Sequence, residues 1–122
     1  MKVEFQTASF SFYAELNDTP AAKEIVDYLP ITSTVSRWGD EIYFDAGVKL
    51  SAEDSSMDVE VGDVAYWSQG KSICVFFGPT PASEDGRPYP ASPVAVIGKT
   101  SASCEELRRI VLGEEITLSQ QE

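Results

Sequence analysis

A chain of 122 residues suits one domain with a single core, and its 43% apolar content with 11% aromatics is that of a globular protein, not a disordered one. Twenty acidic residues against nine basic ones leave a net charge of -11, which repels phosphate backbones and anionic lipid and so argues against nucleic-acid and membrane partners. With no histidine, the chain has no imidazole base, no His-assisted serine or cysteine nucleophile and no His-ligated zinc.

The start, Met1-Lys2-Val3-Glu4-Phe5, alternates apolar and polar residues and predicts a strand over residues 2–6 rather than a secretion signal. No apolar run approaches the roughly 18 residues that span a bilayer. The expected compartment is therefore the cytoplasm, with Cys74 and Cys104 as reduced thiols. Phe10, Phe12, Ala14 and Leu16 share one face of a second strand, and Asn17-Asp18 turns out of it. The period then changes. Thr19 is a good N-cap, Pro20 suits the first helical position, and Ala22, Ile25, Val26 and Leu29 form a stripe that Pro30 ends.

Ile31 to Ser36 is β-branched and reads as a strand; Trp38-Gly39-Asp40 turns into another, Glu41 to Phe44. Residues 51–58 form a polar surface loop. Val59 and Val61 resume alternation, Gly62-Asp63 turns, and Val64 to Trp67 follows as a strand. Ile73, Val75 and Phe77 face one side of the next strand, with Ser72, Cys74 and Phe76 on the other, so that strand is covered on both faces.

From Gly78 to Pro93 the chain holds five of its seven prolines, which cannot donate to a sheet ladder. A loop this long in a small domain marks a functional segment or a disordered one. Val94 to Ile97 is a strand ending at Gly98. Ser103 and Glu106 form a capping box for a helix with apolar Leu107, Ile110 and Val111, and Gly113 stops it. Glu115 to Leu118 is the last strand, so the domain is expected over residues 1–118, with 119–122 as a frayed tail.

Many short strands without regular strand–helix alternation argue for a closed antiparallel barrel, with two helices covering its open ends. No metal signature emerges from two cysteines thirty residues apart, and Gly70-Lys71-Ser72 leads into a strand, unlike a phosphate-binding loop. Neither a cofactor nor a metal is expected. Adjacent Asp40 and Glu41 would point to opposite faces of a strand, so they do not make a paired acid–base site.

Four stretches carry a resemblance: Arg37-Trp38-Gly39-Asp40-Glu41-Ile42-Tyr43-Phe44, Val61-Gly62-Asp63-Val64-Ala65-Tyr66-Trp67, Phe76-Phe77-Gly78-Pro79-Thr80-Pro81 and Ala91-Ser92-Pro93-Val94. Together they resemble a prokaryotic group of uncharacterised cyclophilin-like proteins, over nearly the whole chain. A more local likeness to true cyclophilins runs through Ser92 to Lys99 and the helix after it. The resemblance implies an eight-stranded antiparallel barrel capped by two short helices. Cyclophilins are peptidyl-prolyl isomerases, and on their pattern the site arginine would be Arg37. The site glutamine falls at Ser72, a pocket phenylalanine at Cys74 and the histidine near Val94.

Three departures from that pattern lead us to expect a binding domain for a small molecule or an extended peptide, without efficient isomerase activity. The candidate pocket comprises Arg37, Trp38, Glu41, Tyr43, Trp67, Phe76, Pro79 and Ser92, with Tyr66 as a further apolar wall. A weak prolyl isomerase, with Arg37 as its catalytic donor, is the enzymatic alternative. A regulatory or assembly domain, including a homo-oligomer, is the third.

Overall fold

Period-two alternation carries Lys2–Thr7 (β1) and Ser11–Leu16 (β2) into an antiparallel hairpin in which Val3, Phe5, Phe12, Ala14 and Leu16 turn inward. The remaining strands of the computed structural model, which describes residues 1–121, are Ile31–Thr34 (β3), Ser36–Arg37 (β4), Glu41–Asp45 (β5), Asp63–Trp67 (β6), Ser72–Phe76 (β7), Ala95–Thr100 (β8) and Glu115–Gln120 (β9). They form one sheet in the order β3-β9-β1-β2-β8-β6-β7-β5-β4, antiparallel throughout.

The two ends of that order, β3 and β4, are consecutive in the chain and separated only by Val35. Segment 31–37 therefore pairs with β9 through its first half and with β5 through its second, and nearly closes the sheet into a barrel. At Val35 the backbone turns to the 113–114 corner instead: its N–H donates to the Glu114 carbonyl and its carbonyl accepts from Gly113, both at 2.9 Å. The expected eight strands become nine because this one element is interrupted where it changes partner.

Thr19 caps the helix Pro20–Val26 (α1) by accepting from the Ala22 N–H at 3.4 Å, and Ala21, Ala22 and Ile25 are buried beneath it. Leu29, expected in its stripe, lies past its end but still packs on the core. The helix Cys104–Arg108 (α2) opens on the expected capping box, with Glu106 N–H to Ser103 Oγ at 3.1 Å and Ser103 N–H to Glu106 Oε1 at 3.0 Å. Leu107 and Ile110 are buried, whereas Val111 is exposed in the turn before Gly113.

Some boundaries differ from expectation. Val61 is exposed in the turn before β6 and joins no strand. β8 continues past Gly98 because β2 keeps pairing with it to Thr100. The tail is not frayed at its start: Ser119 and Gln120 pair with Glu4 and Val3, and Glu122 lies outside the described residues. Among the described residues no helix is long and apolar enough to cross a membrane.

Two apolar clusters result. The larger fills the barrel and includes Phe5, Phe12, Phe44, Tyr66, Ile73, Val75 and Ile97. The smaller lies on the outer face of the wall and gathers Val59, Ala65, Cys74, Phe76 and Val94, with Tyr43, Trp67 and Val96 packed against it. This second cluster explains why β7 is buried along its whole length.

Candidate functional site

Strand geometry sends alternate side chains of β5, β7 and β6 to the outer face. Glu41 pairs with Phe76 and Tyr43 with Cys74 across β5 and β7, and Ala65 pairs with Cys74 and Trp67 with Ser72 across β6 and β7. Directly opposed residues share a face, so Glu41, Tyr43, Cys74, Phe76, Ala65 and Trp67 all look outward onto one patch. Tyr43 and Trp67 meet edge to face, with ring centroids 6.2 Å apart.

The proline-rich segment 78–93 rises beside this patch. It is ordered by its own hydrogen bonds: Thr80 Oγ1 donates to the Tyr89 carbonyl at 2.6 Å, and Ser83 Oγ donates to the Arg87 carbonyl at 2.6 Å. Ser92 Oγ accepts from Trp67 Nε1 at 2.5 Å and ties the loop's end to the ring below. Ser56 and Val94 exchange two backbone hydrogen bonds, at 2.9 and 3.0 Å, and fasten the following residue.

Between patch and loop lies a pocket of about 150 Å³, lined by Trp38, Glu41, Tyr43, Trp67, Phe76, Pro90, Ala91 and Val94. Glu41 is the one charged residue of that lining and is only 6% exposed. Burial among apolar neighbours penalises its ionised form and pushes its carboxyl up to about 7, although a hydrogen bond with the Cys74 thiol favours the carboxylate. The same burial, the Glu41 charge and that hydrogen bond drive Cys74 well above the ordinary thiol range. Cys74 is therefore a protonated donor at neutral pH and a poor nucleophile. Glu41 can accept or donate a hydrogen bond there, or balance a positive charge.

Five of the candidate residues meet in this pocket: Trp38, Glu41, Tyr43, Trp67 and Phe76. Arg37, Pro79 and Ser92 do not line it. Ser92 acts one step away, through Trp67. Pro79 is exposed, and its carbonyl accepts from the Asp40 N–H at 2.9 Å. The Tyr66 side chain faces the opposite way, into the barrel, where its hydroxyl donates to the Val48 carbonyl at 3.0 Å.

Arg37 is committed elsewhere. Its guanidinium donates to the carbonyls of Arg108 at 3.0 Å, Ile110 at 3.4 Å and Gly39 at 3.3 Å, and lies over the Phe77 ring at 5.6 Å. Asp40 pairs with Arg108 at 2.6 Å and sits 3.8 Å from Arg37. Asp40, in the turn just before β5, thus pairs with the end of α2, while Glu41, the first residue of that strand, lines the pocket.

Pro90 and Ala91 were not among the candidates; Cys74 and Val94 entered only as the positions where the cyclophilin pattern has a pocket phenylalanine and a histidine. Alternation does place Cys74 on the face of Phe76, but only the pairing of β5 with β7 brings it to Glu41. Gly39 supports the site from its rim. Its φ of +64° suits the turn, and a Cβ there would lie 2.9 Å from the Thr80 Cα.

Comparison with known proteins agrees with the architecture. The chain is similar to a hypothetical protein from Archaeoglobus fulgidus with a known solution structure: 41% identity, a TM-score of 0.82, and coverage of 99% of this chain and 95% of that one. No curated protein matches. A family model described as Cyclophilin-like matches residues 1–119, and with this barrel and its two helices the chain belongs to the cyclophilin-like family.

Proposed function

We propose that this cyclophilin-like barrel is a ligand-binding domain whose outer pocket takes one ring-sized apolar group, carried by a small molecule or an extended peptide. The observation that supports this reading is the pocket itself: aromatic walls, a volume of about 150 Å³ and one buried carboxyl. Binding sites are typically concave and apolar, with few polar groups to fix orientation. A dry cavity of about 150 Å³ holds a benzene ring, so the pocket suits a single ring rather than a larger body.

A prolyl isomerase would need a donor held at the substrate's imide. Arg37, the expected donor, has its guanidinium directed to the carbonyls at the end of α2 and does not line the pocket. This speaks for binding without efficient isomerisation.

Both tryptophans of the chain line the pocket, so intrinsic fluorescence reports on it directly. Titration with benzyl alcohol should shift or quench the tryptophan emission saturably and raise the unfolding temperature, because a ligand confined to the folded state stabilises it. Emission and unfolding temperature that stay flat up to millimolar concentrations of single-ring probes would rule the reading out.

A further inference from the structure

We propose that the pocket is a receptor site for a small organic ammonium ion, with Glu41 as counter-ion and the rings of Trp38, Tyr43, Trp67 and Phe76 as its walls. This rests on the pocket reading above and adds the charge of the ligand. Glu41 is nine-tenths buried, yet no ion pair reaches it among the described residues. The bases nearby are engaged: Arg108 with Asp40, and Arg37 with carbonyl groups and Asp40. A buried carboxylate with an apolar surround is costly unless it takes up a proton or a cation joins it. The protein supplies no such cation, so the pocket is built to receive one.

The walls suit the same ligand. Aromatic faces carry negative charge density, and a ring cage is the recurring means of holding substituted ammonium groups. A neutral ligand of similar shape gains at most a hydrogen bond from Glu41 in its ionised form, and an anionic one is repelled by it. At long range, the net charge of -11 draws cations toward the surface and repels anions.

Titration supports this geometry. The groups that face Glu41 are the Cys74 thiol on β7 and the Tyr43 ring on its own strand; Trp67 on β6 and Pro90 and Ala91 on the loop carry no ionisable group. With its carboxyl at about 7, the empty site is half protonated at neutral pH. A bound ammonium ion favours the carboxylate and so expels the remaining proton.

The test compares benzylammonium with benzyl alcohol, which share a ring and nearly a shape but differ in charge. At pH 8, wild type should bind the amine about tenfold or more tightly than the alcohol, a gap set by the counter-ion and ring contacts. In Glu41→Gln that preference should shrink to what the ring walls alone supply while benzyl alcohol still binds, which also shows that the variant folds. Calorimetry at pH 7 in two buffers of different ionisation enthalpy should show release of about half a proton per amine bound. Equal affinity for amine and alcohol in wild type overturns the ammonium proposal and leaves the pocket reading standing. Binding of neither probe overturns both. An amine preference that survives undiminished in Glu41→Gln removes Glu41 from the role of counter-ion and overturns the proposal as stated.

Discussion

At the scale of one residue, Glu41 holds a buried carboxyl on the outer face. Its carboxyl titrates at about 7 in the folded chain against 4.5 for an ordinary glutamate. The folded state therefore binds this proton more tightly than the unfolded one. The stabilisation is fully present below pH 4.5 and is lost as pH rises through 7. A shift of that size corresponds to about 3 kcal/mol. Urea denaturation of wild type and Glu41→Gln across pH 4.5 to 8 isolates it, since every other group cancels between the two. Relative to the variant, wild type should lose about 3 kcal/mol over that window. A difference that does not vary with pH would show that burial leaves this carboxyl unperturbed.

Gly70 holds the site by what it lacks. A Cβ built on it would collide with Cζ3 and Cε3 of the Trp67 ring. Gly70→Ala should tilt that indole, weaken its bond to Ser92 and lower affinity for ring ligands several-fold. Unfolding free energy should drop by about 1–3 kcal/mol, the usual cost of overpacking a filled site. Tryptophan emission and a benzyl alcohol titration read the two effects separately.

Among elements, α2 depends most on its neighbours. Five residues are too few to hold a helix in water, so both ends need fastening. Ser103 and Glu106 close the first end, and Arg37 gathers the carbonyls of Arg108 and Ile110 at the other. Removing a charged donor from such carbonyls costs roughly 1–3 kcal/mol. Arg37→Ala should lower the unfolding free energy by about that amount while leaving ring-probe affinity within about twofold. Arg37→Lys should recover only part of the loss, because an ammonium cannot reproduce the planar fork. Loss of probe binding in Arg37→Ala, with stability intact, would instead return Arg37 to the ligand.

The capping box of α2, the N-cap of α1 and the alternation of the first two strands were legible because each depends on residues a few places apart. Arg37 was not, since its partner at Arg108 lies 71 residues away and a strand-end side chain gives no local sign of its direction. Five pocket residues were legible as aromatics or acids beside turns, whereas Cys74 and Ala91 acquire meaning only through pairing and loop placement. The same limit applies to Val35: a β-branched run predicts one strand, and only the sheet order reveals that the strand serves two partners.

Over the whole molecule, two electrostatic effects compete. Six ion pairs form among the described residues, and the shortest joins Arg108 to Asp40 at 2.6 Å. The exposed ones, at Glu15, Asp85 and Glu60, each contribute little stability and weaken as salt screens them. Against them stands a surplus of eleven negative charges, twenty acidic groups less nine basic ones, crowded onto one small barrel. Self-repulsion of that surplus is also screened, and screening it stabilises the compact state. Repulsion should win, because among the described residues most acids have no basic partner and Arg87–Asp85 and Lys99–Glu60 are exposed pairs of little strength. Raising sodium chloride from about 10 mM to 300 mM shortens the screening length from about 30 Å to about 6 Å. The unfolding temperature should therefore rise over that range, in Glu41→Gln as well as in wild type, since a single buried carboxyl does not set the surface field. A fall with added salt would mean that the pairs around Asp40 and Lys99 outweigh the net charge in holding the barrel together.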